Sequence, residues 1–218
     1  QAIVNFLQLA PNEKVSSVMA VAELADAKYL VMVTKNGVIK KTELTEFKDV
    51  RRSGLIAIKI RPDDNLEWIK PSGGADDIML VTAQGQSIRF SEKDVRPMGR
   101  SAAGVTGMRM KGKDFIVGMD VVDAKAADKG AFDLLVVMEH GFGKRTNLSE
   151  YKTQGRAGSG IKTAEVTAKT GPIVSAMLIN SKDDRDMIII SEKGQTIRFS
   201  SKTIPSLSRA TQGVRVMR

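Results

Sequence analysis

The sequence has no cysteine, one histidine, one tryptophan and two tyrosines, and aromatic residues make up 5% of its 218 positions. Without cysteine there can be neither a disulfide framework nor a thiolate metal site. The single His140 cannot build a metal site alone. No apolar run approaches the ~20 residues that span a bilayer as a helix. The first residues, Gln1 to Asn5, show neither the basic flank nor the small-residue cleavage pattern of a secretory leader. The chain starts without methionine on an apolar stretch, so it is expected to be a piece of something longer. Cytoplasmic localisation without membrane association fits this composition.

Charge of one sign is in excess. Lys and Arg number 34 against 25 Asp and Glu, giving a formal charge of +9 and a sequence pI near 9.8. Such a surplus attracts a polyanion. Nucleic acid comes first and an anionic membrane surface second. The membrane role requires an amphipathic basic helix, and the pattern holds none.

The organisation is a repeat. Four segments share one grammar: a short continuous apolar run, a polar-Gly turn, then a run carrying a basic residue. They centre on Leu30–Lys41, Met79–Phe90, Leu134–Arg145 and Met187–Phe199. Apolar runs of four or five residues bounded by turn signals read as buried strands, and Asn36-Gly37 is a strong hairpin signal. The turn glycines Gly37, Gly85, Gly141 and Gly194 are each followed, 17, 19, 19 and 19 residues on, by a second glycine: Gly54, Gly104, Gly160 and Gly213. A further apolar stretch follows each, as in Leu55 to Ile58. One more candidate strand precedes each unit: Val15 to Val21, Leu66 to Ile69, Phe115 to Val122 and Pro172 to Ile179. Ala20 to Lys28 reads as strand then loop rather than helix, and Ala124 to Gly130 as a connecting loop.

The fold class is therefore all-β, a propeller-like ring of about four four-stranded blades plus part of another. The whole of 1–218 forms one repeat domain. The approximate blades are 13–60, 64–110, 114–166 and 171–218, with 1–10 a remnant of a preceding one. The lone Trp68 argues against propellers that carry an aromatic signature in every blade.

Basic residues keep phase with the repeat. Lys40, Lys41, Arg89, Lys144, Arg145 and Arg198 follow the hairpin turns. Arg51, Arg52, Arg96, Arg100, Arg156 and Arg209 lie before the second glycines. Equivalent positions on a ring make a belt, which suits the regular phosphates of duplex DNA. Two phosphates neutralised per blade imply a slope of log K against log salt of about −7, with Lys41, Arg89, Lys144, Arg145 and Arg198 supplying much of it. Low aromatic content argues against stacking on single strands.

Catalytic patterns fail on inspection. Gly141 to Thr146 hints at a phosphate-binding loop, but Met138 stands where the first glycine belongs and Arg145 follows the lysine. His140 sits at a hairpin turn, and Asp63-Asp64, Asp76-Asp77 and Asp183-Asp184 read as solvated turns. No catalytic residue, metal site or cofactor is assigned.

Val38 to Phe47, Val95 to Arg100, His140 to Thr146 and Arg209 to Val214 resemble the C-terminal domains of bacterial DNA gyrase A proteins, across essentially the whole chain. The resemblance implies a β-pinwheel, whose blades exchange strands with their neighbours. It also implies duplex DNA wrapped around a basic perimeter in service of negative supercoiling. The parent would be an ATP-dependent type IIA topoisomerase, in which this domain works with the rest of gyrase A and with gyrase B. This fragment would have no enzyme activity of its own and would be monomeric. Family members have six blades, and the first carries a box reading Gln-Arg-Arg-Gly-Gly-Lys-Gly. The resemblance places Gln1 near the end of the second blade, so the box-bearing blade is expected to be missing. Gln154 to Gly160 matches the box only at Gln154, Arg156, Gly158 and Gly160 and reads as the degenerate form of later blades. The related C-terminal domain of topoisomerase IV is the near alternative. A propeller binding an acidic protein is another.

Overall fold

Short apolar runs separated by glycine turns form antiparallel hairpins, because a strand buried on both faces needs no polar alternation. The computed structural model of the protein describes residues 15, 17–19, 24–48 and 54–217. The expected remnant strand 1–10 and most of the candidate strand Val15 to Val21 lie outside them.

Four hairpins follow in order. They are β1 (Tyr29–Thr34) with β2 (Val38–Glu43), β4 (Asp76–Thr82) with β5 (Gln86–Ser91), β8 (Phe132–Met138) with β9 (Phe142–Asn147), and β12 (Asp186–Ile190) with β13 (Thr196–Ser200). After the first three comes a longer strand: β3 (Leu66–Ser72), β7 (Ile116–Asp123) and β11 (Ile173–Asn180). After the last three comes a two-residue strand just beyond the second glycine: β6 (Val105–Thr106), β10 (Ile161–Lys162) and β14 (Val214–Arg215).

Pairing does not respect chain order. The sheets run β3-β1-β2-β6, β10-β5-β4-β7 and β11-β8-β9-β14, with β12-β13 as a two-stranded fourth. Each complete sheet thus takes its last strand from beyond the next hairpin. Before it pairs, the donated segment first runs parallel along the neighbour's second strand, where Met98 N–H donates to Lys41 O (2.8 Å) and Gln154 N–H to Arg89 O (2.8 Å). The contiguous units 13–60, 64–110, 114–166 and 171–218 therefore do not coincide with the sheets. In 64–110, for instance, β3 and β6 both belong to the preceding sheet. The exchange implied by the resemblance is what the pairing shows.

Two local expectations also change. Ala124–Asp128 is a short helix, α1, rather than loop, N-capped by Asp123, whose Oδ1 accepts from Ala126 N–H at 2.7 Å. Leu55 to Ile58 forms no strand, while Ile58 is buried.

The core lies between sheets, and alternation along each strand explains why the runs are continuously apolar. On β4, Ile78 and Leu80 pack with Val31, Val33, Met108 and Met119. Met79 and Val81 face the other way, against Leu134, Val136 and Ile173. β7 packs against both β3 and β11. These edge strands face one another on the inside, so the donated strands β6, β10 and β14 lie on the outer edge. Gly118 lets β7 approach β11 closely, since a Cβ there would collide with the Ala176 backbone.

The hairpin glycines test the exchange. Gly85 has φ +80°, and a Cβ on it would lie 2.6 Å from Ala164 O in the donated segment. Gly194 has φ +81° and nothing within 4 Å. Gly194→Ala is expected to cost ~1–2 kcal/mol from the left-handed backbone alone. Gly85→Ala should cost clearly more, read as a lower midpoint in urea. Equal costs would mean that the donated segment does not sit against the turn.

Candidate nucleic-acid interface

Of the twelve basic residues expected on the perimeter, Arg51 and Arg52 lie outside the described residues. The other ten separate by burial. Lys41, Arg89, Arg145 and Arg198 share one register position, opposite Val31, Met79, Leu135 and Ile188. The first three side chains are 4%, 2% and 11% exposed. A carboxylate twelve residues earlier faces three members of the set. Arg89 Nε lies 2.8 Å from Asp77 Oδ2, Arg145 NH1 3.3 Å from Asp133 Oδ2, and Arg198 Nε 3.0 Å from Asp186 Oδ2. At the first hairpin that position holds Tyr29 instead. Lys41 Nζ sits 4.8 Å from the Tyr29 ring centroid and takes Glu92 of the next blade as its counterion at 3.3 Å. Glu92 is fully buried, and it also accepts from Ser72 Oγ, Gly74 N–H and Asp76 N–H. Only Arg198 stays at the surface, 70% exposed.

Lys40 and Lys144 stand next to this position and are fully buried. Lys40 Nζ donates to Ala57 O (2.7 Å) and Arg100 O. Lys144 Nζ donates to Ser208 O (2.7 Å), Arg209 O and Thr211 Oγ1 (3.1 Å). Burial pushes the Lys40 ammonium below its ordinary pKa. It takes that of Lys144 down to about 8, with Arg209 lowering it further and Glu150 opposing. Lys40, Lys41, Arg89, Lys144 and Arg145 are thus corrected from the outer belt to the interior. They lie on strands covered on both faces, where a desolvated cation needs a carboxylate or several carbonyls.

The basic residues that keep contact with solvent lie on the crossings between blades, the lysines and Arg96 exposed and the three described arginines half-buried. Counted from the hairpin glycines, the fifteenth residue is Arg52, Arg100, Arg156 and Arg209, and the eleventh is Lys48, Arg96, Lys152 and then Pro205. Arg100 lies 3.9 Å from Glu46 of the preceding blade. Arg156 Nε donates to Asp94 O at 3.1 Å, and its NH1 to Thr106 O. Arg209 NH1 donates to Lys162 O at 3.1 Å. These contacts hold each arginine across the seam between neighbouring sheets, on the side of the donated strands. Lys48, Arg96 and Lys152 are exposed just after the 3-10 turns that end each hairpin. Sequence reasoning found Arg96 and missed Lys48 and Lys152, although counting from the hairpin glycine brings out all three.

The rejected residues also have places. Lys144, Arg145 and Thr146 lie in strand β9, and His140 is at its hairpin turn. Asp64, read as a solvated turn, is buried and accepts from Asn36 N–H at 2.9 Å. Tyr151 is buried with its hydroxyl 2.6 Å from Thr163 Oγ1, and burial raises its pKa to about 12.

The chain matches the family described as DNA gyrase C-terminal domain, beta-propeller, over residues 28–72, 76–123, 133–180 and 185–218. Each matched unit opens on a hairpin. The DNA gyrase A protein of Staphylococcus epidermidis is 39% identical over 217 residues, covering 99% of this chain and 24% of that protein. Its Staphylococcus aureus namesake is 38% identical with the same coverage. The chain thus spans about a quarter of the length of the curated relatives it matches. Among solved structures, a C-terminal domain of DNA topoisomerase IV superposes with a TM-score of 0.88 at 26% identity, over 100% of this chain and 66% of that one. A DNA gyrase A C-terminal domain gives 0.85 at 26%, over 100% and 70%. The E. coli ParC C-terminal domain shares the fold alone, at 0.67 and 12% over 88% and 78%.

Two measurements test this division. Asp77→Ala strips Arg89 of its buried counterion and is expected to cost ~3 kcal/mol or more in urea denaturation. Asp186→Ala, at the exposed equivalent, should leave the midpoint almost unmoved. Similar losses at both sites would contradict the burial difference. The second test uses pH. Between about 8 and ~10.4 the unfolded lysine still holds a proton that folded Lys144 has released, so stability should rise with pH over that window. Above ~10, folded Tyr151 keeps a proton that the unfolded tyrosine loses, so stability should fall again. Lys144→Met should shrink the rise, leaving the part that Lys40 contributes, and leave the fall.

Proposed function

The chain belongs to the family of DNA gyrase C-terminal domains, and from that premise we propose that it binds duplex DNA along its outer edge and bends the duplex around it. The observation that carries this reading is the phased basic set in which Lys48, Arg96 and Lys152 are exposed and Arg100, Arg156 and Arg209 are half-buried. These residues recur once per blade on the crossings beside the donated strands. A polyanion with evenly spaced charge meets such a set with the same chemistry at each step. Nothing in the set forms a reading face for bases, so the binding is weakly selective for sequence and sensitive to deformability.

Bending 20–30 bp through 40–90° costs roughly 1–6 kcal/mol by elastic estimates. Phosphate contacts must offset that cost. Without the interior cations, one phosphate contact from each of the six crossing residues implies a slope of log K against log salt of about −5. That is shallower than the slope expected when the buried lysines and arginines were included.

In the parent protein, the wrap would present a DNA crossing to the strand-passage machinery of an ATP-dependent cytoplasmic topoisomerase that works with gyrase B. The identities of 39% and 38% with gyrase A proteins favour gyrase over topoisomerase IV. The fragment itself supplies DNA geometry and no chemistry.

The test is a titration against duplexes of about 10 and about 40 bp at several salt concentrations. Affinity should climb steeply with length. Changing Lys48, Arg96 and Lys152 together to Gln should flatten the salt slope by ~2.7, at ~0.9 per phosphate contact. An unchanged slope in the triple variant would remove these residues from the interface. Weak binding indifferent to length would overturn wrapping by this chain.

A further inference from the structure

Three of the buried cations have carboxylate partners, and two do not. Lys41, Arg89 and Arg145 are neutralised by Glu92, Asp77 with Asp128, and Asp133. Among the described residues, no carboxylate lies within ion-pair distance of Lys40 or Lys144. Their ammonium groups are held by backbone carbonyls instead. Apart from Ala57 O on Lys40, those carbonyls come from the turns that carry the half-buried arginines: Arg100 O on Lys40, and Ser208 O and Arg209 O on Lys144.

A peptide carbonyl at a phosphate-facing surface repels phosphate. Gathering these oxygens onto a buried ammonium turns their negative ends inward. The same ammonium leaves a positive charge, without a counterion, directly behind the turn. The middle crossing works as an internal comparison. Its arginine is Arg156, and the position equivalent to Lys40 and Lys144 is Ile88, which packs beside Gly158. That turn is shaped by backbone instead, through Ala157 at φ 66°.

We propose that Lys40 and Lys144 are positioning residues for DNA binding, each fixing the arginine turn donated by the next blade and adding a buried charge that the bound phosphate senses. The proposal rests on the duplex-binding reading above. It adds a consequence which that reading lacks. Lys144 titrates near pH 8, and the charged groups facing it are Glu150 and Arg209. For Lys40 they are Arg100 and Glu46. A phosphate arriving at the Arg209 turn favours the charged ammonium, so DNA binding takes up a fraction of a proton in mildly alkaline solution and less near pH 6.5.

The experiment is calorimetry of the chain with a duplex of about 40 bp, in buffers of different ionisation enthalpy, at pH 6.5 and pH 8.5. Binding is followed in parallel by fluorescence anisotropy. The wild-type chain should show proton uptake at pH 8.5 that is nearly absent at pH 6.5. Lys144→Met should lose most of that uptake and bind ~10-fold more weakly, about the loss of one charge-assisted contact. Lys144→Arg, which keeps the charge but does not titrate, should recover affinity without recovering uptake. If Lys144→Met does not fold, Arg209→Gln takes its place. It keeps the lysine but withdraws the phosphate, so uptake should fall with it.

Wild-type binding with no proton uptake at pH 8.5 would overturn the proposal and leave DNA binding intact. So would uptake and affinity unchanged in a folded Lys144→Met. A wild-type chain that does not bind duplex at all would instead overturn the DNA reading, and this inference with it.

Discussion

The unpaired edge of a β-sheet is a row of amides and carbonyls that must find partners, and in the three complete sheets the partner of the hairpin's second strand comes from beyond the next hairpin. The segment that closes one blade is the crossing that leaves the following one. β6 closes the sheet of β1 and β2, β10 that of β4 and β5, and β14 that of β8 and β9. Everything else of interest follows from this exchange. The crossing needs a tight turn and a left-handed glycine, and it carries the half-buried arginine. It also brings its carbonyls over a strand of the neighbouring blade, where two lysines wait for them.

The exchange explains the division of charge. A crossing that lies over β2, β5 or β9 covers the basic residues on those strands and removes them from solvent. Their charges must then be met locally. The repeat does so with a carboxylate twelve residues earlier in three hairpins, with Tyr29 and Glu92 in the first, and with carbonyls at Lys40 and Lys144. Arg198 shows the converse. The described residues include no fifth hairpin whose crossing could lie over β13, and the same side chain is 70% exposed there. Burial at this register position depends on the neighbour and not on the hairpin.

A chain with a +9 formal charge thus spends a share of its cations on holding blades together, while the crossings present others. The two populations are interleaved in sequence, so composition alone cannot separate them. In space they are distinct, since one lies beneath the crossing and the other upon it. The two are linked at Arg100 and Arg209, whose carbonyls face the buried lysines.

Sequence alone was enough for the hairpins, the period and the phase of the basic residues. A continuous apolar run with a glycine turn has few ways to fold, and a repeat multiplies the signal. The signal for the buried ion pairs was also present, in Asp77, Asp133 and Asp186, each twelve residues before its arginine. Only tertiary structure decided which strands share a sheet, because pairing across the exchange joins residues far apart in the chain and leaves no local trace. Only tertiary structure decided which cations face water, because burial at Lys41, Arg89 and Arg145 is imposed by a segment that the hairpin itself does not contain. Charge phase is a property of the repeat, whereas charge exposure is a property of the neighbour.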